Sequence, residues 1–384
     1  MRSFLTLLLF FILHHVHAQQ PLLQQVLKDT RPAVLQRAKW AMQQTPETIT
    51  AYRCDRSAGG KHDFFSEGDY WWPDPVSKDS PYIQRDGQSN PDNFVKHREV
   101  MIRFSRVMGA LAAGYVASRD KTYLHQALLH ARAWFQDENT RMNPHLLYAQ
   151  AIKGRATGRG IGIIDTIQLL EVVQALRIME KAGMIPAADL VVFRQWFRDY
   201  LQWLTTHPYG KDEMNAKNNH GTCWVMQVAA FALFVQDRQL MDFCADRYKN
   251  VLLPSQMAED GSFPLELKRT KPYGYSLFNL DAMSTVCQLL GSAGYDLWQY
   301  TAAGKNMAAG AAFMYPFVKD KRSWPFAKDV MYWEEWPVAH PFLLFNAAAS
   351  GNRDYYRLWL SLPHDPQVEE VLRNLPVRNP VIFL

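Results

Sequence analysis

Apolar residues recur at a helical period along almost the whole chain. Nowhere does a comparable stretch alternate apolar and polar residues as a half-buried strand does. In segment 99–117, Ile102, Val107, Met108, Leu111 and Val116 fall near one face of a 3.6-residue turn. Segments 122–136, 163–182, 188–205, 222–235, 238–252, 276–291, 295–312 and 338–349 read the same way. Pro186 and Pro208 stand between or after these runs, where a residue without an N–H does least harm. The expected fold class is therefore all-α.

Long connections separate the helices, notably 53–96, 137–160, 206–219, 253–275 and 314–337. Loops beyond about 15 residues are unusual in compact domains unless they carry function. These hold most of the polar-aromatic clusters, such as Asp69-Tyr70-Trp71-Trp72-Pro73 and Tyr332-Trp333-Glu334-Glu335-Trp336-Pro337. Paired helices closed into a ring, with the loops gathered at one mouth, account for this pattern. A superhelical array of helix pairs gives the same periodicity, but no fixed-period sequence repeat is present. No Pro/Gly/Ser linker divides the chain, so residues 19–384 are expected to form one domain.

Residues 1–18 read as an export signal: Arg2, an apolar run from Phe4 to Leu13, and a cleavage-like Val16-His17-Ala18. The expected location is periplasmic or secreted. No membrane attachment is expected, because the run is too short to span a bilayer. Lys plus Arg number 42 against 37 Asp plus Glu, and no basic block occurs, so nucleic acid is not an expected partner. Cys54, Cys223, Cys244 and Cys287 show no CxxC spacing, and free thiols are the favoured reading for the three in helical segments. No HExxH, calcium loop, GxSxG elbow, phosphate-cradling loop or dinucleotide fingerprint is present. The expectation is a metal-free, cofactor-free reaction or simple binding.

Three clusters could carry such chemistry. Lys217-Asn218-Asn219-His220-Gly221-Thr222-Cys223-Trp224 precedes the apolar run Val225–Val235, placing amides and a histidine at a helix start. Plain N-capping by an asparagine explains the same residues without function. Glu259-Asp260-Gly261-Ser262-Phe263-Pro264-Leu265-Glu266 runs into Lys268, Arg269 and Lys271 beside Tyr273 and Tyr275, where cations favour a phenolate. The third runs from His62 through Trp71 and Trp72 to Arg85. Asn143, His145 and Tyr148 share one loop, and His340 lies near a late helix start.

Asn218-Asn219-His220 with Trp224, followed by Asp260-Gly261-Ser262-Phe263-Pro264-Leu265-Glu266-Leu267-Lys268-Arg269 and Tyr275, resembles the motifs of the alginate lyase-type polysaccharide lyases. The match is clearest over residues 215–290. It departs in having Ser276 after the tyrosine, and Tyr273 stands as a nearby rival. The resemblance implies an (α/α) toroid, or incomplete barrel, of about six to seven helical hairpins. It implies β-elimination of a 4-linked polyuronate, alginate foremost, without a metal. Asn219 and Arg269 are then expected to neutralise the C5 carboxylate, with His220 as base and Tyr275 as acid in guluronate linkages. In mannuronate or glucuronate linkages one tyrosine is expected to take the proton as phenolate and return it to O4, with His220 setting its charge. Asn218, Trp71, Trp72, Arg85, Arg98, Asn143, His145, Tyr148, Lys268, Tyr273, Trp333, Trp336 and His340 are the expected substrate contacts. An acidic polysaccharide is the expected partner, and the protein is expected to be a monomer. A glycoside hydrolase on a similar toroid needs two flanking carboxylates. A non-catalytic glycan binder keeps the aromatic platforms but tolerates loss of His220 and Tyr275.

Overall fold

The computed structural model describes the backbone of residues 2–77 and 79–384, and the side chains from residue 22 onward except Lys78. The expected export signal lies outside the residues whose side chains are described.

Helices α1 (Arg2–Met42), α2 (Lys96–Ser118) and α3 (Thr122–Phe135) come first. A 3-10 segment (Gly160–Gln168) leads into α4 (Leu169–Lys181), followed by α5 (Ala187–Thr206) and the short α6 (Pro208–Met214). Next come α7 (Asn219–Val235), α8 (Arg238–Arg247), α9 (Leu253–Gln256), α10 (Pro264–Leu267) and α11 (Pro272–Gly291). The last four are α12 (Met307–Lys319), α13 (Pro341–Ser350), α14 (Arg353–Ser361) and α15 (Glu369–Arg373). Helix α2 packs on α4, α4 on α7, α7 on α11 and α11 on α13, while α1 touches both α13 and α2 and closes the ring. Outside this wall α3, α5, α8, α12 and α14 each pack against an inner helix or its neighbour. The result is an (α/α) toroid of five hairpins plus α1. Helix α1 packs most extensively on α2, and 295–306, expected to be helical, is loop.

Nearly every side of helix α7 is apolar because nearly every side is covered. Helix α7 buries all but two of its residues, and the run Val225–Val235 meets the outer ring on one face and the axis on the other. Residues 375–383 fill that axis and are buried throughout. A buried backbone needs partners, and the wall supplies them from polar residues set among apolar ones. Gln168 donates to the Arg373 carbonyl at 2.9 Å and Gln288 to that of Phe383 at 2.8 Å. The Arg378 guanidinium donates to Ser105 on α2 at 2.6 Å, and Glu171 accepts from the backbone N–H groups of Arg378 and Asn379. Gly109 on α2 permits this approach, since a Cβ there would sit 2.4 Å from a Glu171 carboxylate oxygen.

Two short strand pairs lie at the mouth: β1 (Phe65–Glu67) with β4 (Tyr148–Ala151), parallel, and β2 (Trp71–Trp72) with β3 (Ile83–Gln84), antiparallel. The four cysteines are free thiols, and all but Cys54 are buried. Helix α2 is long and apolar enough to cross a membrane by composition, but 72% of its most apolar window is buried in the core.

Candidate active site

Helix α7 begins at Asn219, and its cap comes from far along the chain. Asn218 makes no side-chain capping bond. Instead the Glu266 carboxylate on α10 accepts from the Asn219 backbone N–H at 2.7 Å and from its amide at 2.8 Å. Burial raises the Glu266 pKa, and the two Asn219 donors work against that rise. The amide is thus fixed in orientation, with its second N–H left over. Beside it, His220 Nδ1 lies 2.7 Å from Glu213 Oε1, and Glu213 is buried on α6. A carboxylate accepts from Nδ1–H, which leaves Nε2 as the free lone pair. Glu213 was not anticipated, because segment 206–219 reads as loop while the structure builds α6 there.

The Asp-Gly-Ser part of the second motif is architecture. Asp260 accepts from the Ser262 N–H at 2.9 Å, and Gly261 takes φ +86° where a Cβ would sit 2.2 Å from the Ala309 carbonyl. Its later residues reach the site. Arg269 pairs with Asp86 at 2.8 Å, stacks 4.4 Å over the Tyr275 ring and donates toward the Tyr275 hydroxyl at 3.4 Å. That hydroxyl also lies 2.7 Å from the Tyr70 hydroxyl. Burial pushes the Tyr275 pKa well above its ordinary value, outweighing Lys271 and Arg269, which act the other way. Cations were expected to favour the phenolate; desolvation wins, and Tyr275 is held as the neutral phenol.

Asn219, His220, Arg269 and Tyr275 line one pocket, together with Tyr70, Trp71, Gln150, Arg159 and Arg373 among others. The N-terminal ends of α7 and α11 and the 3-10 segment before α4 all face it, so their dipoles add positive potential. Arg159 has no carboxylate partner within 4 Å among the described residues; Gln150 orients it at 2.8 and 3.3 Å, and it lies 5.6 Å over the Trp71 ring. Burial pulls its guanidinium down to about 10, which still leaves it charged near neutrality. Gln150 adopts φ +49°, a strained conformation for a non-glycine residue, and strain of this kind gathers at functional sites. Asp69 is the one carboxylate lining the pocket, and Arg98 and Arg373 both bind it. Burial works to raise its pKa, yet these arginines hold it down at about 2.

Trp71 faces the pocket and Trp72 does not, because successive strand residues point to opposite sides. Trp72 instead donates to the Gln88 carbonyl and carries Arg85 at 5.0 Å over its ring. Several expected substrate contacts are structural. Arg98 is 3% exposed and engaged with Asp69. Asn143 and His145 both hold Asp63, and Tyr148 packs over Gly59. Tyr273 is fully buried and donates to the Phe317 carbonyl, which removes it as a rival to Tyr275. Trp333 packs on Tyr273, Trp336 stacks on His340, and His340 is buried against Asp281 at 2.6 Å. Asn218 and Lys268 lie outside the pocket lining. Tyr70, Arg159 and Arg373 join the site unanticipated. Tyr70 stands beside the two tryptophans in sequence, so only it had a local signal.

The start of α11, which carries Tyr275, is held by Asp329, whose carboxylate accepts from the Tyr273 and Gly274 N–H groups at 2.9 Å each. Burial raises Asp329 to about 6. Its folded-state pKa exceeds the unfolded value of about 3.9, so the folded protein keeps a proton that the unfolded chain has lost. Stability therefore falls as pH rises from about 4 through 6, by about 3 kcal/mol at most. Asp329→Asn is expected to gain in melting temperature over wild type across that window and to hold a constant difference above it. A difference that does not change with pH is the contrary result.

The sequence model of the family described as alginate lyase matches residues 48–324. No curated protein matches. Among solved structures, an alginate lyase from Bacteroides ovatus superposes with a TM-score of 0.81 at 29% identity, covering 95% of this chain and 97% of that one. Alginate lyase A1-III from Sphingomonas species A1 gives 0.54 at 16% identity over 86% and 89% of the two chains. A variant of that enzyme complexed with tetrasaccharide gives 0.56 at 17% identity, again over 86% and 89%. The two Sphingomonas structures share the fold. With the family match spanning well over half of its length, the chain belongs to the alginate lyase family.

Proposed function

We propose that the protein is a polysaccharide lyase that cleaves 4-linked polyuronate, alginate foremost, by β-elimination to unsaturated oligosaccharides, and that it acts as an exported enzyme. One observation carries the reading: a histidine with one ring nitrogen fixed by a buried carboxylate shares a pocket with a phenol kept neutral by burial. The C5 proton of a uronate becomes acidic once its carboxylate is neutralised, which falls to the Asn219 amide and to Arg159, Arg269 and Arg373. His220 Nε2 takes that proton, the C4–C5 double bond forms as the C4–O4 bond breaks, and Tyr275 gives its proton to O4. Arg269 and Tyr70 then stabilise the phenolate left behind. Donors aimed at the developing negative charge supply the largest share of the rate, typically about a hundredfold to a thousandfold each.

Hydrolysis lacks its machinery here. The only pocket carboxylate, Asp69, is ionised and bound by two arginines, so it cannot serve as a raised-pKa acid. Elsewhere around the mouth, Glu67 is bound by Arg56, Asp260 accepts from the Ser262 N–H, and the Glu334 side chain is 84% exposed. The test is a panel of alginate, glucuronan and glycosaminoglycan substrates, following the ultraviolet absorbance of the conjugated double bond beside new reducing ends. Cleavage without that absorbance overturns elimination, and binding without cleavage across the panel overturns catalysis.

Capture of a polyanion by these arginines makes KM rise with salt, while kcat stays level. Arg159→Ala is expected to raise KM about tenfold and to flatten the salt dependence. A KM independent of ionic strength in both proteins assigns Arg159 no part in capture.

A further inference from the structure

Lys271 is the N-cap residue of α11 and, at 4% exposed, the only buried lysine among the described residues. It does not line the catalytic pocket, but its ammonium sits against two phenols that do. Nζ lies 5.1 Å from the centre of the Tyr70 ring and 5.4 Å from that of Tyr275. A third ring, that of Tyr332, stands at 5.4 Å. Tyr332 presents it from a left-handed backbone, φ +62°, which a bulky residue rarely adopts.

The counter-ion is Glu370 on α15, whose carboxylate accepts from Nζ. Glu370 is shared with Arg373 at 3.5 Å, and Arg373 pairs in turn with Asp69 at 2.8 Å. Asp329 feels the lysine charge from the far side of the α11 start. Desolvation works against the buried ammonium, but Glu370 and Tyr275 favour it, and Lys271 stays charged. Two cations share one carboxylate here, so Glu370 anchors the ammonium without cancelling it.

A buried ion pair is a poor source of stability, because desolvation of both charges offsets their attraction. Its position against the proton-donating ring gives it another use. A neutral phenol attracts a cation only weakly, through its quadrupole. A phenolate spreads a whole negative charge over the same ring, so the attraction grows as the Tyr275 O–H bond breaks and O4–H forms. We propose that Lys271 is a positioning residue of the reaction: anchored by Glu370, it holds the Tyr70 and Tyr275 rings together and stabilises the phenolate that Tyr275 becomes. This rests on the reading of Tyr275 as the proton donor to O4; Lys271 itself gives up no proton.

Unit charges about 5 Å apart, at an effective dielectric of about 20, attract by an amount worth about a hundredfold in rate. The test is kcat and KM for unsaturated product in Lys271→Met, in Tyr275→Phe and in the two changes combined. Lys271→Met keeps the stem and removes the charge, and should lower kcat about a hundredfold with KM unchanged. Lys271→Arg should return kcat to within about tenfold of wild type. No phenolate forms in Tyr275→Phe, so adding Lys271→Met there should change kcat by less than about twofold. A role confined to packing costs the same in both backgrounds, and equal losses overturn the proposal. Wild-type kcat in Lys271→Met overturns it as well. Should Lys271→Met fail to fold with Glu370 left buried, Lys271→Met with Glu370→Gln removes both charges. The opposing carboxylate is then gone too, so about a tenfold loss is expected, again only where Tyr275 is present. If the catalytic reading is at fault instead, Tyr275→Phe itself keeps wild-type turnover, or wild type gives no unsaturated product; either result overturns this proposal with it.

Discussion

Tyr275→Phe is expected to lower kcat on polyuronate by about a thousandfold while KM changes little, because only the proton donor to O4 is removed. The ring keeps its place under the Arg269 guanidinium, so the stacked geometry survives. Loss of the hydroxyl also frees Tyr70, its partner at 2.7 Å, a phenol that burial holds protonated. The variant should therefore bind substrate and hold it. Stopped-assay product counts, set beside calorimetric affinity for an oligouronate, separate the two effects. Turnover within about tenfold of wild type removes Tyr275 from proton transfer.

His220→Ala is the second large effect, again about a thousandfold in kcat. It differs in what restores activity. Cutting back the ring opens space beside Glu213, which stays buried at 1% exposure and still presents an acceptor. Added imidazole should occupy that space and recover part of the rate, with a dependence on the neutral base. Glu213→Gln tests the same unit from behind: its amide fixes the ring less strictly, and kcat is expected to fall about tenfold or more with KM unchanged. Wild-type turnover in His220→Ala, or rescue of Tyr275→Phe by imidazole as well, contradicts the division of roles.

The toroid was legible because inner-wall helices advertise themselves. Segments 222–235 and 276–291 repeat apolar residues at a helical period with Asp281 as their one charged residue, and both become central walls. The proposed catalytic pair was legible for a different reason: Asn219-His220 and Glu266 to Tyr275 are compact stretches that meet in space, with Glu266 bonding Asn219 across 47 residues. What stayed hidden depends on long-range pairing. Glu213 sits in a stretch that local pattern reads as loop, and Arg159 and Arg373 come from unrelated segments. Aromatic loops misled in one direction. Tyr332 to Pro337 looks like a sugar platform, yet Trp336 is 5% exposed and Trp333 packs on Tyr273. Polarity alone does not tell a cleft from a clasp. Glu171, Gln168 and Gln288 posed the converse difficulty, since nothing in a helical repeat announces an irregular segment along the axis as their partner.

That axial segment sets the order in which the protein can be made. Its bonds to Ser105 and Glu171 span 273 and 207 residues, so they form only after the surrounding wall has been synthesised. Until then the polar groups waiting for it face an unfilled lumen, and the apolar lining around them is exposed to water and to other nascent chains. Contacts this distant slow a folding reaction, and such intermediates are prone to self-association. Maturation of this chain should therefore end in one late, concerted step, in which ring closure and threading happen together.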